Sequence, residues 1–233
     1  MTKADKTQVG QLFDSISGHY DFLNHFLSFN IDKKWRRNAI KELSIGKDLV
    51  LDVATGTCDL AIEIINQKKA NHIIGIDLSK GMLDKGQEKI NRLNLSEIIT
   101  LKQENCLNLS FEDNSFDAVV VAFGVRNFSD LLKGLKEINR VLKPNGEFIV
   151  LEFSKPKYSI ISFFYNLYLN KILPLIGRLF SKHIYAYTYL PNTINEFVYG
   201  KKFIEKLSEA GFQNSTYKEL TFGVATIYKA FKL

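Results

Sequence analysis

The middle of the chain alternates short apolar runs with amphipathic helical patterns, and this alternation constrains the fold more than any other feature. Five runs have the continuous apolar or β-branched character of strands buried in a parallel sheet. They are residues 49–53, 73–77, 99–103, 118–123 and 148–151. Between them, apolar residues recur at helical spacing, as in the stripe from Leu131 to Leu142. Repeated β-α-β units predict an α/β, doubly wound, mostly parallel sheet with helices on both faces.

The two ends of the chain depart from this alternation. Residues 9–44 have a helical pattern, and so does the segment that contains Phe203 and Leu207. Residues 216–221 and 225–231 then have the character of two strands, which predicts a C-terminal hairpin. A length of 233 residues suits one domain. We therefore expect a seven-stranded sheet in a single domain over 1–233, with an N-terminal helical cap over 1–45 and a helical lid over 155–200.

The net charge of +6 is concentrated in one segment. Residues 153–195 contain no Asp or Glu but hold five basic residues: Lys155, Lys157, Lys171, Arg178 and Lys182. Without these five, 26 basic and 25 acidic residues remain in the chain. Because the remainder is close to neutral, a general nucleic-acid-binding surface is a poor explanation of the charge.

Cysteine content and hydropathy bear on location. Cys58 and Cys106 are too few for a disulfide framework or a zinc site and favour a reducing compartment. Residues 1–11 are polar and lack the apolar core of a secretory signal, and no stretch of 18 uncharged apolar residues predicts a spanning helix. His19 and His25 do not share a helical face, so we expect no metal site. These features predict a cytoplasmic protein.

Polar residues follow the predicted strands at the ends where ligands bind in such sheets. Gly56 lies in the loop after the first strand, and Asp77 closes the second strand 21 positions later. A carboxylate at that position accepts hydrogen bonds from both hydroxyls of an adenosine ribose. Asn105 and Cys106, near the end of the third strand, suit the adenine edge. Two alternatives remain open, since Asp77 also fits a turn or helix cap and Cys106 fits inert packing.

The loop after the first strand distinguishes between classes of nucleotide. A dinucleotide site needs three glycines around a pyrophosphate, whereas this loop contains Gly56 alone. Asp52 and Asp59 would oppose a diphosphate but suit S-adenosylmethionine, whose charged groups include a sulfonium and an ammonium. Ala122, at the end of the fourth strand, would border the methionine moiety. We therefore expect S-adenosylmethionine rather than NAD.

Several strings of residues resemble known families. The loop 52–59, Gly75-Ile76-Asp77 and residues 140–144 occur in an order that resembles class I S-adenosylmethionine-dependent methyltransferases. Five further strings are similar to the ubiquinone/menaquinone biosynthesis C-methyltransferase family. They are Tyr20-Asp21-Phe22-Leu23-Asn24, Ser28-Phe29-Asn30, Trp35-Arg36-Arg37, Phe123-Gly124-Val125-Arg126-Asn127 and Leu151-Glu152-Phe153-Ser154-Lys155-Pro156. The resemblance runs from about Val9 to the carboxyl terminus and implies a Rossmann-like class I fold.

This resemblance implies methyl transfer from S-adenosylmethionine to a ring carbon of a polyprenylated quinol. It also implies that Thr57, Asp77, Asn105 and Cys106 contact the donor. Cys58 stands where the family usually has the second glycine of the loop, and its β-carbon could crowd the donor's carboxylate. Among acceptors we favour demethylmenaquinol. The alternatives are 2-polyprenyl-6-methoxy-1,4-benzoquinol of ubiquinone biosynthesis and another lipid-like acceptor.

Carbon methylation of a quinol is favoured when the ring hydroxyl is ionised. Arg126, just after the fourth strand, is expected near the methyl group, where its charge lowers the pKa of the quinol. The alternative is an ion pair between Arg126 and an acid such as Glu152. Asn127 is expected to orient the quinol oxygen or a water molecule. Tyr20 is expected on a helix over the site, with packing of the cap as its alternative role.

The acid-free segment is also rich in aromatic residues, since 153–195 holds 10 of the 29 in the chain. From Ile160 to Tyr168 an apolar stripe at helical spacing fits either a packed cap or a lid over the isoprenoid tail. The basic residues would then face anionic lipid. We expect a mixture of both, with peripheral contact at the inner face of the cell membrane. A methyltransferase for RNA or a sterol-like lipid, and a non-catalytic lipid-binding protein, are the competing classes.

Overall fold

The computed structural model describes residues 9–19, 28, 30–168, 171 and 184–233. Its framework is a seven-stranded sheet. The strands are β1 Lys47–Val53, β2 Ala70–Asp77, β3 Ile99–Gln103, β4 Phe116–Ala122, β5 Leu142–Phe153, β6 Gln213–Leu220 and β7 Ala225–Phe231. They lie in the order β3-β2-β1-β4-β5-β7-β6, and β7 runs in the direction opposite to the other six strands of this sheet. The predicted mostly parallel sheet and its C-terminal hairpin are confirmed.

Eight α-helices fall within the described residues. They are α1 Val9–Ile16, α2 Ile31–Glu42, α3 Asp59–Asn66, α4 Lys80–Arg92, α5 Leu131–Val141, α6 Ser159–Leu167, α7 Ile184–Glu196 and α8 Lys201–Glu209. Polar side chains set two of the starts. The Ser79 hydroxyl accepts a hydrogen bond from the Met82 amide at 3.1 Å, and the Asp130 carboxylate accepts one from the Lys133 amide at 3.0 Å. Both bonds satisfy amides that have no partner inside α4 and α5.

The central strands are buried on both faces because helices pack against each side. On one face, Leu51 and Val121 join a core cluster with Ile138 of α5 and Phe203 of α8. The cluster on the other face includes Val50, Val120, Ile40 of α2 and Ile64 of α3. Burying one such side chain contributes about 1.5–3 kcal/mol, so the two clusters fix the sheet between its helical layers. The site at the strand ends therefore stands on a rigid support.

Strand β5 is longer than the sequence pattern predicts. It begins at Leu142 rather than at residue 148, and the register against β4 shifts within the added stretch. Asn145 adopts a φ of 61°, and its amide donates to the carbonyl of Lys232 at 2.7 Å. Pairing with the end of the chain thus keeps this stretch in the sheet, which a local turn signal cannot reveal.

The predicted cap and lid are described in part. Helices α1 and α2 lie in the predicted cap, and α6 and α7 lie in the predicted lid. Tyr20, Arg178 and Lys182 lie outside the described residues. In the part of the chain that the structure describes, no helix has the length and apolar character needed to cross a membrane.

Candidate active site

A cavity of about 360 Å³ opens at the carboxyl ends of β1, β2 and β4. The strand order reverses here between β1 and β4, which is where ligands bind in doubly wound sheets. Five residues predicted to bind the donor and one predicted to be catalytic line it: Gly56, Asp77, Asn105, Cys106, Ala122 and Asn127. The fold thus gathers residues that are spread over more than 70 positions of the sequence.

Asp77 closes β2 and is fixed by two backbone amides. Its Oδ2 accepts a hydrogen bond from the Gly56 amide at 2.9 Å, and its Oδ1 accepts one from the Ser79 amide at 2.9 Å. Burial raises the pKa of Asp77, and these amides oppose that rise. Each carboxylate oxygen can accept a second hydrogen bond. Asp77 can therefore bind a diol in the cavity while it holds the Gly56 loop.

Helix α1 covers one side of the cavity. Val9 and Phe13 line it, and Asp14 joins α1 to the start of α4. The Asp14 Oδ1 accepts hydrogen bonds from the Ser79 hydroxyl at 2.6 Å and the Gly81 amide at 2.8 Å. This anchor was not foreseen, because a lone Asp in an amphipathic helix gives no local sign of a partner 65 residues away.

Asn105 and Cys106 shape the end of the cavity beside β3. The Asn105 Oδ1 accepts a hydrogen bond from the Leu107 amide at 3.0 Å, which fixes a turn after the strand. Burial raises the pKa of the Cys106 thiol to about 12, so the thiol is neutral near pH 7. Its character is that of a small apolar contact on the cavity wall rather than a nucleophile.

A smaller cleft of about 30 Å³ adjoins the cavity and shares Ala54, Gly56, Ala122 and Phe123 with it. The predicted donor residues Asp52 and Thr57 line this cleft instead. The Asp52 side chain is buried, and its Oδ2 accepts a hydrogen bond from the Thr55 hydroxyl at 2.6 Å.

Asp52 is electrostatically unusual. Among the described residues, its Oδ1 has no hydrogen-bond partner. Burial raises the pKa of Asp52 to about 7, with a smaller rise caused by Asp77 and a fall caused by Arg36. A buried acceptor without a partner is rare in folded proteins. It fits the ammonium group of a bound donor, which would supply the missing hydrogen bonds.

Basic side chains offset the acids of this loop. The Lys89 Nζ lies 2.7 Å from the Asp59 Oδ1 and donates to the Thr57 Oγ1 at 3.2 Å. Arg36 pairs closely with Asp32, and its Nη2 lies 3.7 Å from the Asp59 Oδ2. Asp59 is therefore neutralised by its neighbours, which reduces the role expected of it beside the donor.

Arg36 also lines the smaller cleft, and its guanidinium lies over the Phe123 ring at 5.6 Å from the centroid. No sequence pattern predicts Arg36 at the site. The string Trp35-Arg36-Arg37 was the available signal, but nothing local shows that α2 reaches the loop after β1.

Cys58 begins α3 in a left-handed conformation, with a φ of 69°. Its side chain is fully buried in the core and lines neither of the two cavities. Burial raises the pKa of its thiol to about 12. The β-carbon that replaces the family's glycine is thus accommodated in the core.

The turn after β4 is strained where it meets the cavity. Phe123 has a φ of 59°, and its amide donates to the Leu151 carbonyl at 2.7 Å. A Cβ at Gly124 would lie 2.7 Å from the Ala54 Cβ, so glycine is required there. Left-handed non-glycine residues cost about 1–2 kcal/mol and cluster at functional sites.

The residues after this turn point in different directions. Asn127 faces the cavity, where its Oδ1 accepts a hydrogen bond from the Tyr189 hydroxyl at 3.1 Å. Arg126 is buried and turns to Glu152, with its Nη1 2.6 Å from the Oε1. The Glu152 Oε2 also accepts the Arg126 amide at 3.2 Å. The ion pair given as the alternative for Arg126 is therefore present, and its catalytic role stays a prediction.

These features define the class of protein. The switch point, the carboxylate at the end of β2 and a loop with one glycine have the arrangement expected of a nucleoside site. The unpaired Asp52 oxygen suits a cationic group better than a phosphate. The fold and the site are those of a class I S-adenosylmethionine-dependent methyltransferase.

Comparisons with known proteins narrow this class. A model of the ubiE/COQ5 methyltransferase family matches residues 1–232, so the chain belongs to that family. The demethylmenaquinone methyltransferase of Bacteroides fragilis is 44% identical over 226 residues, which cover 97% of this chain and 92% of that protein. The ubiquinone/menaquinone biosynthesis C-methyltransferase UbiE of Geotalea uraniireducens is 43% identical over 228 residues, with coverages of 97% and 96%. The predicted family resemblance is confirmed.

Solved structures agree on the fold. An S-adenosylmethionine-dependent methyltransferase of Thermotoga maritima, described as a possible histamine N-methyltransferase, superposes with a TM-score of 0.67. It covers 96% of this chain and 99% of its own length at 18% sequence identity. At that identity the similarity concerns the fold alone.

Proposed function

We propose that this chain methylates a ring carbon of a polyprenylated quinol with S-adenosylmethionine as the donor, and that demethylmenaquinol is the preferred acceptor. Family membership supports quinone C-methylation in menaquinone or ubiquinone biosynthesis. The observation that supports the donor most directly is the pairing of a diol acceptor, Asp77, with a buried unpaired oxygen on Asp52 in adjoining cavities.

The proposed contacts place the donor along the ends of four strands. Asp77 binds the ribose hydroxyls and keeps its bonds to the Gly56 loop. Asn105 and Cys106 border the adenine. Asp52 accepts from the ammonium group. Each assignment uses the hydrogen-bonding or contact surface that the side chain's observed bonds leave available.

The remaining contacts belong to the methionine end of the donor. Thr57 and Arg36 lie in the smaller cleft, where Arg36 brings a positive charge suited to the carboxylate. Ala122 and Phe123 line both cavities and would border the sulfur. S-adenosylmethionine supplies the methyl group, whose bond to sulfur breaks as a bond to the ring carbon forms and a ring hydrogen leaves as a proton.

The protein must favour the ionised quinol, because its ring carbon is the stronger nucleophile. Arg126 is proposed to lower the quinol pKa through its charge. Asn127, held by Tyr189, is proposed to orient the quinol oxygen or a water molecule. Tyr20 lies outside the described residues, and its role over the site remains a prediction. An Arg126→Ala variant should lose turnover while S-adenosylhomocysteine binding, measured by calorimetry, stays intact; retained turnover with intact binding would exclude this role.

Turnover of the purified enzyme tests the acceptor. Reduced demethylmenaquinone, reduced methoxy-benzoquinone precursor and a polyprenyl phenol without the second hydroxyl are each supplied with donor carrying a labelled methyl group. We expect the label on demethylmenaquinol at the highest kcat/KM. Faster labelling of the benzoquinol would favour the ubiquinone alternative. Label on none of the three, with donor binding intact, would overturn the proposal.

Membrane contact is proposed from helix α6. Its exposed large apolar side chains include Ile160 at 74%, Phe163 at 65% and Phe164 at 62% exposure. The helix contains no charged residue, and Lys171 beyond it is exposed. An apolar face next to basic groups is the pattern of a peripheral helix on anionic lipid. A cytoplasmic enzyme could collect a tail-bearing quinol in this way.

Vesicle binding tests this contact. The protein should bind vesicles that contain anionic lipid, with an affinity that falls as salt rises. Phe163→Ser with Phe164→Ser should weaken binding at all salt concentrations, whereas neutralising Lys171, Arg178 and Lys182 should remove the salt dependence. The control variant is Phe222→Ser, because the Phe222 side chain is 67% exposed in the turn between β6 and β7. Equal binding by all variants would overturn the contact.

A further inference from the structure

Tyr165 differs from its neighbours on helix α6 in the burial of its side chain. Side chains on either side of it, such as Phe164 and Leu167, are exposed. The Tyr165 hydroxyl is buried instead, and among the described residues it has no hydrogen-bond partner. A buried tyrosine hydroxyl normally finds a partner. Helix α6 therefore carries a buried hydroxyl, that of Tyr165, without a hydrogen-bond partner among the described residues.

The charges that act on this hydroxyl identify its surroundings. Burial raises the pKa of Tyr165, the positive charge of Arg126 lowers it, and the negative charge of Glu152 raises it. The ion pair behind the turn after β4 is therefore within electrostatic range of this buried hydroxyl. It stays protonated near neutral pH and is available as a hydrogen-bond donor.

Arg126 also has a buried hydrogen-bond donor without a partner among the described residues. Its Nη1 donates to the Glu152 Oε1 at 2.6 Å and to the Phe123 carbonyl, whereas its buried Nε has no partner among the described residues. Glu152 accepts three hydrogen bonds in all, because it also accepts the amides of Arg126 and Phe153. The guanidinium is therefore held through its Nη1 group, and its buried Nε–H remains able to bind a ligand.

An aromatic pair joins this place to the donor cavity. The Phe153 ring lies 5.2 Å from the Arg126 guanidinium and 4.5 Å from the Phe123 ring, which lines the cavity. A flat aromatic acceptor beside these rings could place one ring oxygen at the polar pair and a ring carbon toward the methyl group.

We propose that the Tyr165 hydroxyl and the Arg126 Nε–H bind the same oxygen of the acceptor ring and stabilise it as an anion. This inference rests on the proposed quinol acceptor and assigns Tyr165 as a further residue that positions and ionises it. Two fixed donors from different elements act as an oxyanion site, which favours the negatively charged form of the ligand over the neutral form. Helix α6 then has two roles, since its exposed face meets lipid and its one buried hydroxyl meets the ring.

The test compares Tyr165→Phe with Tyr158→Phe. Tyr158 lies just before the same helix and is 66% exposed, so its hydroxyl is a matched control. With a detergent-solubilised quinol, Tyr165→Phe should lower kcat about 10- to 100-fold and move the acidic limb of the kcat profile to higher pH. The Tyr158→Phe variant should match the wild type. Donor affinity by calorimetry and the melting temperature should be unchanged in both.

A spectroscopic probe separates this inference from the proposed function. 1-Naphthol has one hydroxyl, cannot be oxidised to a quinone directly and absorbs at longer wavelength when ionised. Bound to wild-type enzyme with S-adenosylhomocysteine, it should ionise at lower pH than in water, and Tyr165→Phe should abolish that shift.

The outcomes are distinct. Methylation of the quinol by wild type, with no naphthol shift and no effect of Tyr165→Phe, would overturn the inference and leave the proposed function standing. Lower turnover in Tyr165→Phe together with lower donor affinity or stability, and an unshifted pH profile, would make Tyr165 structural and also overturn it. Absence of any quinol methylation by wild type would reject the proposed function itself.

Discussion

The Sγ of Cys58 lies 2.5 Å from the position that a Cβ of Gly86 would take. Cys58 begins α3 beside the donor loop, and Gly86 lies in the middle of α4. The two residues share one space, so the thiol fills the volume that a side chain on α4 would otherwise occupy. The cysteine at a position where the family usually has glycine is therefore matched by a glycine on the neighbouring helix.

This relationship predicts a coupled effect on stability. Gly86→Ala should lower the free energy of unfolding by about 1–3 kcal/mol, because the added methyl overlaps the Cys58 thiol. In a Cys58→Gly background the same change should cost much less, since the thiol is gone. Urea unfolding of the four proteins in the double-mutant cycle measures the coupling. Gly18→Ala, where a Cβ would have nothing within 4 Å, is the control.

If overlap with the Cys58 thiol is responsible, Gly86→Ala must lower the free energy of unfolding more in the wild type than in the Cys58→Gly background. If Gly86→Ala destabilised both backgrounds to the same degree, contacts with the Leu101 side chain and the Gly56 carbonyl, at 3.2 and 3.4 Å from the added atom, would be responsible instead.

Much of the sheet and part of the site could be predicted because the signals are local. A buried parallel strand is a short apolar run whatever its neighbours are, so β1 and β4 were visible through residues such as Val50 and Val120. The polar residues that close strands share one edge by topology alone. Asp77 and Asn105 were therefore placed together correctly from their positions after predicted strands.

The residues that were missed depend on contacts distant in sequence. Arg36 reaches the loop after β1 because α2 packs across the sheet, and no local pattern encodes that crossing. The different directions of Arg126 and Asn127 come from a tight 3₁₀ turn over Val125–Asn127, which a strand-end pattern does not resolve. Residues 169–170 and 172–183, which include Arg178, lie outside the described residues, so their expected roles stay predictions.

Donor affinity should depend strongly on Asp77. Asp77→Asn replaces one acceptor oxygen with an NH₂ group. Because the two oxygens accept the Gly56 and Ser79 amides, the NH₂ group faces a backbone amide in either orientation, so one hydrogen bond is lost and the carboxylate charge with it. We expect about 10- to 100-fold weaker binding of S-adenosylhomocysteine by calorimetry. Asp84→Asn, an exposed acid on α4 paired with Lys80, should bind as the wild type does.

Thermal melting of the same two variants completes this prediction. Asp77→Asn also perturbs the bonds to Gly56 and Ser79, so its unfolding is compared with that of Asp84→Asn. Unchanged affinity in a folded Asp77→Asn protein would contradict the assignment of the ribose to this carboxylate.

The pKa of Asp52 predicts a pH dependence of stability. Burial raises it from 3.8 to about 7, so between these values the folded chain holds a proton that the unfolded chain has released. Stability therefore falls as pH rises through that window, by on the order of 4 kcal/mol. Asp52→Asn removes this loss.

Urea unfolding at about pH 4.5 and pH 7.5 measures the effect of Asp52. At the higher pH, the free energy of unfolding of the Asp52→Asn variant should rise relative to that of the wild type. Donor binding should reduce this difference, because an ammonium beside Asp52 stabilises the ionised form. A constant difference across the two pH values would show that Asp52 titrates normally in the folded protein.

The Arg126–Glu152 pair should be far more important for stability than a surface pair of similar length. Glu152 is fully buried, and Glu152→Gln would leave the Arg126 charge without its counter-ion at a cost of about 3–5 kcal/mol. Glu219 forms a 2.6 Å pair with the exposed Lys157, and Glu219→Gln should change the free energy of unfolding little, because solvent screens that pair. Chemical unfolding of the two variants tests the contrast. Similar small losses in both would mean that water reaches the Arg126 guanidinium.

Arg36 and Arg37 offer the sharpest test of the methionine end of the donor site. The Arg36 side chain is 11% exposed and lines the smaller cleft, whereas Arg37 is 65% exposed and pairs with Glu63 at 3.6 Å. Arg36→Met should weaken S-adenosylhomocysteine about 10- to 100-fold, because a charge-assisted bond to its carboxylate is lost. Methylthioadenosine has no carboxylate and should bind the variant as it binds the wild type, and Arg37→Met should bind both ligands normally. Calorimetry with the two ligands distinguishes a direct contact between Arg36 and the carboxylate from an indirect effect. If Arg36→Met weakened the binding of both ligands equally, Arg36 would act only by holding the loop around Asp52.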